Sequence, residues 1–263
     1  MSDADLAQAH APTLRESRSR GLPPSAAFGW LSAGWRDLTI HAGTSLAYGI
    51  VVFAVSLGVI AGLIFLGLDY ILFPAIAAFL VVGPLVAVGL YEKSRLIEAG
   101  ESDKVTLGRM MFVRAKSGAQ VLFTGVILLG LVLLWMRAAV IIYALFFGLQ
   151  PFPGLDHIAE MLFTTPIGWA MLVTGTIVGG LFAAFSFAIS AVSVPMLLAE
   201  RTDAFTAMGT SISLVWNNLP VMIVWGAIVL VLTTLGLVTG VAGLILVFPL
   251  LGHATWHAYK AIR

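Results

Sequence analysis

The chain has 263 residues, of which 60% are hydrophobic and only 10% are charged, and its mean hydropathy is +1.02. Polar residues are too few to cover the surface of a water-soluble globular protein. The composition therefore predicts a polytopic membrane protein. The formal net charge of +1 indicates nothing about partners. Because the chain has no cysteine, its own residues cannot form disulfides, thiolate nucleophiles or cysteine-bound metal centres.

The amino-terminal part of the sequence is polar. Residues 1–24 mix charged residues with alanine, proline and serine without periodicity, which predicts a disordered cytoplasmic tail. Residues 25–263 are predicted to form one membrane domain. Its first segment, 25–41, has apolar residues at helical spacing, which indicates an amphipathic helix in the membrane interface with Trp30 and Trp35 as anchors.

Six long apolar segments follow, and they predict an all-α membrane protein with six transmembrane helices. At 1.5 Å per residue, each segment is long enough to cross a hydrocarbon core of about 30 Å. The predicted spans are residues 42–66, 70–91, 118–148, 166–199, 219–236 and 238–257.

A polar island, residues 91–116, separates the second span from the third. Its sequence, YEKSRLIEAGESDKVTLGRMMFVRAK, holds ten of the 27 acidic and basic residues of the chain. We interpret the island as a solvated linker with a short interfacial helix. Its basic end, with Arg109, Arg114 and Lys116, would favour the headgroups of anionic lipids.

The distribution of lysine and arginine predicts the orientation. If the amino terminus is cytoplasmic, thirteen of the fourteen basic residues fall on the cytoplasmic side, and only Arg137 lies in the outer half. The positive-inside rule therefore places both termini in the cytoplasm. Arg137 is then a charge buried in the third span, and Asp69, Asp156 and Glu160 are its candidate counter-ions. Such a charge either pairs structurally or holds an anionic group in an outward cavity.

Three similar units suggest a three-fold internal repeat of helical hairpins. Each unit has an interfacial helix, an outward span and an inward span with one proline: Pro84, Pro195 or Pro249. These prolines are predicted helix breaks, and transporter folds place such breaks at substrate sites. The alternative is that glycine and proline align by chance, since both are common in membrane helices. The three predicted interfacial helices are residues 25–41, 102–117 and 202–217.

Two histidines near the carboxyl terminus form a candidate metal site. His253 and His257 are one helical turn apart, and Asp37 and His41 have the same spacing on the same predicted side of the membrane. Two imidazoles at this spacing can chelate a metal, so these four residues are candidate ligands. The alternative is an interfacial anchor, because Trp256 and Tyr259 accompany the histidines.

Four motifs together resemble a known family. They are GWRDL at residues 34–38, GPLVAVGLYEKSRLIEAG at 83–100, SAVSVPMLLAERTDAFTAMGTS at 190–211 and PLLGHATWHAYK at 249–260. Over about residues 28–260 the chain resembles the bacterial integral membrane proteins of domain of unknown function 2189. The resemblance implies a bacterial inner-membrane protein without an established activity. Some members are labelled cytochrome c oxidase subunit I, but the scattered histidines of this chain, such as His10 and His157, do not fit a catalytic oxidase subunit.

No phosphate-binding loop, HExxH or GxSxG signature occurs in the chain, so we expect a non-enzymatic protein without a cofactor. The leading hypothesis is a structural or accessory membrane protein that acts on lipids, including anionic lipids, or on a membrane protein complex. One alternative is a carrier or channel for a small solute, and another is a haem- or metal-binding accessory protein of a respiratory oxidase. We expect no nucleic-acid partner.

Overall fold

The structure is a computed structural model that describes residues 18–148 and 154–263. Most of the predicted tail lies outside the described residues. Within these two ranges all regular structure is helical, which confirms the all-α prediction. In chain order the described helices are α1 (Ala26–Thr39), α2 (Ala42–Phe65), α3 (Leu72–Val86), α4 (Val88–Glu98), α5 (Leu107–Met111), α6 (Gly118–Phe147), α7 (Leu155–Thr164), α8 (Pro166–Ala199), α9 (Ala204–Asn217), α10 (Leu219–Val238) and α11 (Leu244–Ile262).

Local signals explain where several of these helices begin. The carboxylate of Asp203 accepts a hydrogen bond of 2.9 Å from the backbone N–H of Thr206 and so caps the first turn of α9. Thr165 caps α8 in the same way through the N–H of Gly168, and Pro166 occupies the first helical position, where no donor is needed. Helix boundaries in these places therefore follow directly from the sequence.

Five described helical segments are long and apolar enough to cross a membrane: Ala42–Phe65, Pro74–Glu98, Gly118–Phe147, Pro166–Ala199 and Leu219–Val238. The chain is therefore a multi-spanning membrane protein.

The predicted sixth span, 238–257, is not among these five segments. Helix α11 begins at Leu244, six residues later than predicted, and its second half carries His253, His257 and Lys260. Its apolar stretch is consequently short, because these polar side chains occupy the part that would otherwise complete a crossing. The six-span count stays a prediction.

The helix ends meet at what we call the near end of the bundle, which contains the start of α2 and the ends of α4 and α11. There the N–H groups of Lys116 and Ser117, just before α6, donate to the carbonyl groups of Leu198 and Leu197 at the end of α8. Helices α2, α6 and α10 run away from the near end, and α4, α8 and α11 return to it. The opposite end of the bundle is the far end.

The core of the protein lies at the near end, around α11. This helix packs against α1, α2, α4 and α10. Close approach requires glycine at several crossings: for example, a Cβ atom on Gly34 would lie 2.6 Å from the backbone nitrogen of Ala254, and one on Gly252 would lie 2.5 Å from Cδ1 of Leu90. Towards the far end, the helices instead expose many large apolar side chains, as expected for surfaces that contact lipid.

The order of elements agrees with three units, but their details differ. Between residues 102 and 117 the helix α5 has only five residues, whereas α1 and α9 have fourteen each. Each predicted interfacial helix holds a glycine, but Gly34 lies in a tight helix crossing, whereas Gly108 and Gly209 face open space. The three-fold repeat therefore stays a prediction.

Candidate functional site

The first part of the polar island is buried in protein. Glu92, Lys93 and Ser94 are exposed by only 5%, 0% and 1%. The second spanning helix continues through these residues to Glu98, and α11, α5 and the end of α8 pack around it. The prediction of a solvated linker was therefore wrong for residues 91–96, because neighbouring helices cover Glu92 and Lys93, two charges that the sequence alone assigns to water.

A chain of hydrogen bonds runs through this buried region. Lys93 Nζ donates to Ser45 Oγ at 2.7 Å and to the carbonyl oxygen of His41 at 3.2 Å. Ser45 Oγ lies 2.8 Å from His253 Nε2, and Ser94 Oγ lies 2.9 Å from His253 Nδ1. These contacts join α2, α4 and α11. We call Asp37, Ser45, Lys93, Ser94, His253 and His257 the buried polar chain.

The donor roles within the buried polar chain follow from the ammonium group of Lys93. An ammonium group only donates, so Ser45 accepts from Lys93 and directs its own proton to Nε2 of His253. His253 then carries its proton on Nδ1 and donates it to Ser94 Oγ. This assignment gives a neutral imidazole with one fixed tautomer, held between two serine hydroxyl groups.

Asp37 and His257 connect α1 to the same chain. Asp37 Oδ2 lies 2.8 Å from His257 Nε2, and the Asp37 side chain is almost fully buried. Burial acts to raise the pKa of Asp37, but hydrogen bonds from His257 and Ser94 outweigh it and hold the pKa below its ordinary value. The resulting carboxylate attracts the ammonium group of Lys93. The buried polar chain therefore has a cation, Lys93, at one end and an anion, Asp37, at the other.

The structure brings together three of the four predicted metal ligands, Asp37, His253 and His257, in the buried polar chain. The ring nitrogens of His253 contact serines, and the side chain of His41 is exposed while its carbonyl group faces Lys93. In the described part of the chain, no group of three such side chains is arranged to hold a metal ion. The geometry therefore favours a structural hydrogen-bond network over a metal site.

The predicted helix breaks fall in different settings. Near Pro84, α3 ends at Val86 and α4 begins at Val88, whereas Pro195 and Pro249 lie inside helices that continue through them. Arg137, predicted as a buried charge, occupies an exposed position on α6. Of its three expected counter-ions, Glu160 is exposed on α7, and the side chains of Asp69 and Asp156 are outside what the structure describes.

A basic cleft opens beside the buried polar chain at the near end. Its volume is about 390 Å³, and it is lined by Glu92, Arg95, Arg109, Phe112 and Arg114. Glu92 Oε2 lies 2.7 Å from Arg95 Nε, and Glu92 Oε1 lies 2.8 Å from Arg95 Nη2 and 3.3 Å from Arg109 Nε. The cleft therefore has three guanidinium groups around one carboxylate.

Sequence reasoning identified part of this cleft. It named Arg109 and Arg114 as the basic end of the island but assigned no role to Glu92 and Arg95. Their three-residue spacing on a helix was the available signal, since residues at that spacing are neighbours on one face. The serines of the buried polar chain gave no comparable signal.

The comparisons with known proteins agree with the membrane architecture. A family model described as predicted integral membrane protein (DUF2189) matches residues 72–199. The match confirms the resemblance for the central part of the chain. No curated protein and no solved structure matches the sequence.

The region matched by the family model supplies the whole basic cleft and two members of the buried polar chain, Lys93 and Ser94. The remaining members, Asp37, Ser45, His253 and His257, lie outside the matched residues. The family region is thus held by its contacts with α1, α2 and α11, which belong to the flanking parts of the sequence.

Proposed function

We propose that the protein is a non-enzymatic accessory protein of a bacterial inner membrane and that it organises anionic lipids around its near end. The main observation behind this proposal is a set of exposed aromatic side chains on two helices at the near end, α1 and α9. Trp216 and Phe205 on α9 are exposed by 70% and 69%, and Phe28 and Trp35 on α1 are also exposed. Because aromatic rings favour the headgroup region, lipid is the natural contact of these faces.

The opposite faces of α1 and α9 support this interpretation. Trp30 and Leu38 of α1 are buried in the protein, as are Met208, Leu214 and Val215 of α9. Each helix is therefore fixed on the core by one face while the other presents large apolar side chains. A helix in this position lies along the membrane surface instead of crossing it.

The charge of the near end favours anionic lipids over neutral ones. Exposed basic side chains at this end include Arg36, Lys116 and Arg201. Basic residues next to a membrane surface are attracted to anionic headgroups by about 1 kcal/mol each. Under the positive-inside rule, the same residues favour a cytoplasmic near end, and the proposal has six crossings between the near and far ends.

The alternatives rest on sequence patterns. The proline positions motivated the carrier hypothesis, and the histidine pair motivated the haem- or metal-binding hypothesis. Neither is favoured by a specific contact in the described residues. An accessory role beside a membrane protein complex is compatible with the organisation of lipids. It requires no further structural feature at the near end.

Spin-labelled lipids in reconstituted vesicles test the proposal. We expect electron paramagnetic resonance to show a motion-restricted fraction that is larger for phosphatidylglycerol than for phosphatidylcholine. The triple variant Arg36→Gln, Lys116→Gln, Arg201→Gln should lose this preference, whereas the far-end control Arg137→Gln should keep it. Equal restriction of both lipids by the wild-type protein would exclude the proposed preference for anionic lipids.

A further inference from the structure

The lining of the basic cleft carries more positive than negative charge. Arg95, Arg109 and Arg114 each carry a full charge, and Glu92 supplies the one acidic side chain of the lining. The lining therefore has a net charge of about +2 at neutral pH. Such an arrangement is costly to maintain without an anionic ligand, because like charges in one cleft repel each other.

The three arginines differ in how many of their N–H donors are engaged in hydrogen bonds. Glu92 engages two nitrogens of Arg95 and one nitrogen of Arg109, and its own carboxylate is buried. The terminal nitrogens of Arg109 are not bonded to Glu92. Among the described residues, Arg114 makes no hydrogen bond or ion pair. A guanidinium group presents five N–H donors in a fork that matches the oxygens of a phosphate group.

The cleft lies where a lipid headgroup can reach it. It is formed between the end of α4 and the segment that leads from α5 to the start of α6, at the near end. Phe112, at its rim, is exposed by 83%. A large apolar ring near the guanidinium group of Arg114 suits a ligand with a phosphate head and an apolar tail, whereas a free phosphate ion would gain nothing from the ring.

We propose that the basic cleft binds the phosphomonoester headgroup of a lipid. A phosphomonoester carries a charge of about −1.5 to −2 at neutral pH and has three strong acceptor oxygens. This charge matches the net charge of the cleft, whereas a phosphodiester headgroup carries only one negative charge. The assignment deepens the proposed function and rests on it, because it gives one defined lipid site within the lipid-facing near end.

Native mass spectrometry of the detergent-purified full chain tests the assignment with short-chain phosphatidic acid, phosphatidylglycerol and sn-glycerol 3-phosphate. We expect phosphatidic acid to be retained more strongly than the other two. Arg114 is the best position for substitution because no bond to Glu92 is lost. Arg114→Gln should weaken binding of phosphatidic acid by about tenfold or more, and Arg114→Lys should weaken it less. Arg137→Gln, an exposed basic position at the far end, should leave binding unchanged.

Three results would overturn the assignment. They are equal retention of phosphatidic acid and phosphatidylglycerol, unchanged binding in Arg114→Gln, and competition by sn-glycerol 3-phosphate at the affinity of phosphatidic acid. The last result would point to a soluble phosphomonoester. The vesicle experiment on the proposed function changes no residue of the cleft, so the failure of one proposal is distinguishable from the failure of the other.

Discussion

Lys93 donates a 2.7 Å hydrogen bond from its ammonium group to Ser45 Oγ at a point where neither side chain reaches solvent. Lys93 lies on α4 and Ser45 on α2, and His253 of α11 continues the contact. Burial of an ammonium ion costs several kcal/mol unless its charge and its hydrogen bonds are matched. Here Ser45 and the carbonyl group of His41 accept the hydrogen bonds, and Asp37 provides the opposite charge.

Replacement of this lysine should therefore destabilise the protein strongly. Lys93→Met removes the cation and leaves the carboxylate of Asp37 buried without it. We expect the free energy of unfolding to fall by about 3 kcal/mol or more. The measurement is thermal or denaturant unfolding of the purified protein in detergent.

Lys104→Met is the matched control for this substitution. Lys104 lies in the same polar island and pairs with Glu101 at 2.8 Å, but both side chains are well exposed. Exposed ion pairs contribute about 1 kcal/mol at most, so this variant should stay close to the wild type. Similar losses in both variants would show that burial of Lys93 does not determine its contribution.

The crossing of α1 and α11 makes a second prediction. A Cβ atom on Gly34 would lie 2.6 Å from the backbone nitrogen of Ala254, so Gly34→Ala forces the two helices apart. We expect a loss of about 1–3 kcal/mol in unfolding free energy, as for overpacked cores. The same unfolding measurement in detergent detects the loss.

Gly29, in the same helix, provides the control because a Cβ atom there would meet nothing within 4 Å. Gly29→Ala should be neutral or stabilise the protein by about 0.5–1 kcal/mol, since alanine favours a helix interior more than glycine does. The two substitutions are chemically identical, so an equal effect would contradict the close approach of α1 and α11.

Length and hydropathy were sufficient to predict the long spans. The predicted segments 42–66, 118–148 and 166–199 correspond closely to α2, α6 and α8. These helices expose apolar side chains along much of their length, so their extent depends on the lipid thickness and little on partners. Local composition therefore contained the relevant information.

The buried polar chain could be predicted only in part, because its contacts join distant parts of the sequence. Helical spacing singled out Asp37 and His257, which do form a contact across 220 positions. Ser45 and Ser94 were not singled out, although they contact His253 across 208 and 159 positions. A serine in a helix usually bonds to its own backbone, so its role emerges only when a partner helix is in place.

The carboxylate of Asp37 makes stability dependent on pH. Its pKa in the folded protein lies below the ordinary value of 3.8, so its contribution is fully present above about pH 4. The contribution is lost as the pH falls through the folded-state pKa. We expect the wild-type melting temperature to fall more steeply than that of Asp37→Asn as the pH is lowered from about pH 4 to about pH 2.

Asp103→Asn is the control for the acid profile, because Asp103 lies at an exposed position of the polar island. This variant should follow the wild-type curve. If the Asp37→Asn curve also runs parallel to that of the wild type at every pH, the contact with His257 does not stabilise the ionised carboxylate.

The position of the turn between α10 and α11 decides the number of crossings. Helix α10 is long enough to span and leaves the near end, while Ile262 at the end of α11 is fully buried at the near end beside Arg20. The chain must therefore return along α11, although this helix is too polar to qualify as a span by itself. Its polar half is shielded from lipid by α1, α2 and α4, which explains how it can lie inside the bundle.

Single cysteines test this return cleanly, because the natural chain contains none. Gly240→Cys, in the turn, should react with a membrane-impermeant maleimide only from the periplasmic side of intact cells. Lys104→Cys, in the polar island, should react only after the membrane is opened, since the near end faces the cytoplasm under the positive-inside rule. Labelling of both positions from the same side would mean that the number of crossings between residues 104 and 240 differs from the proposed number.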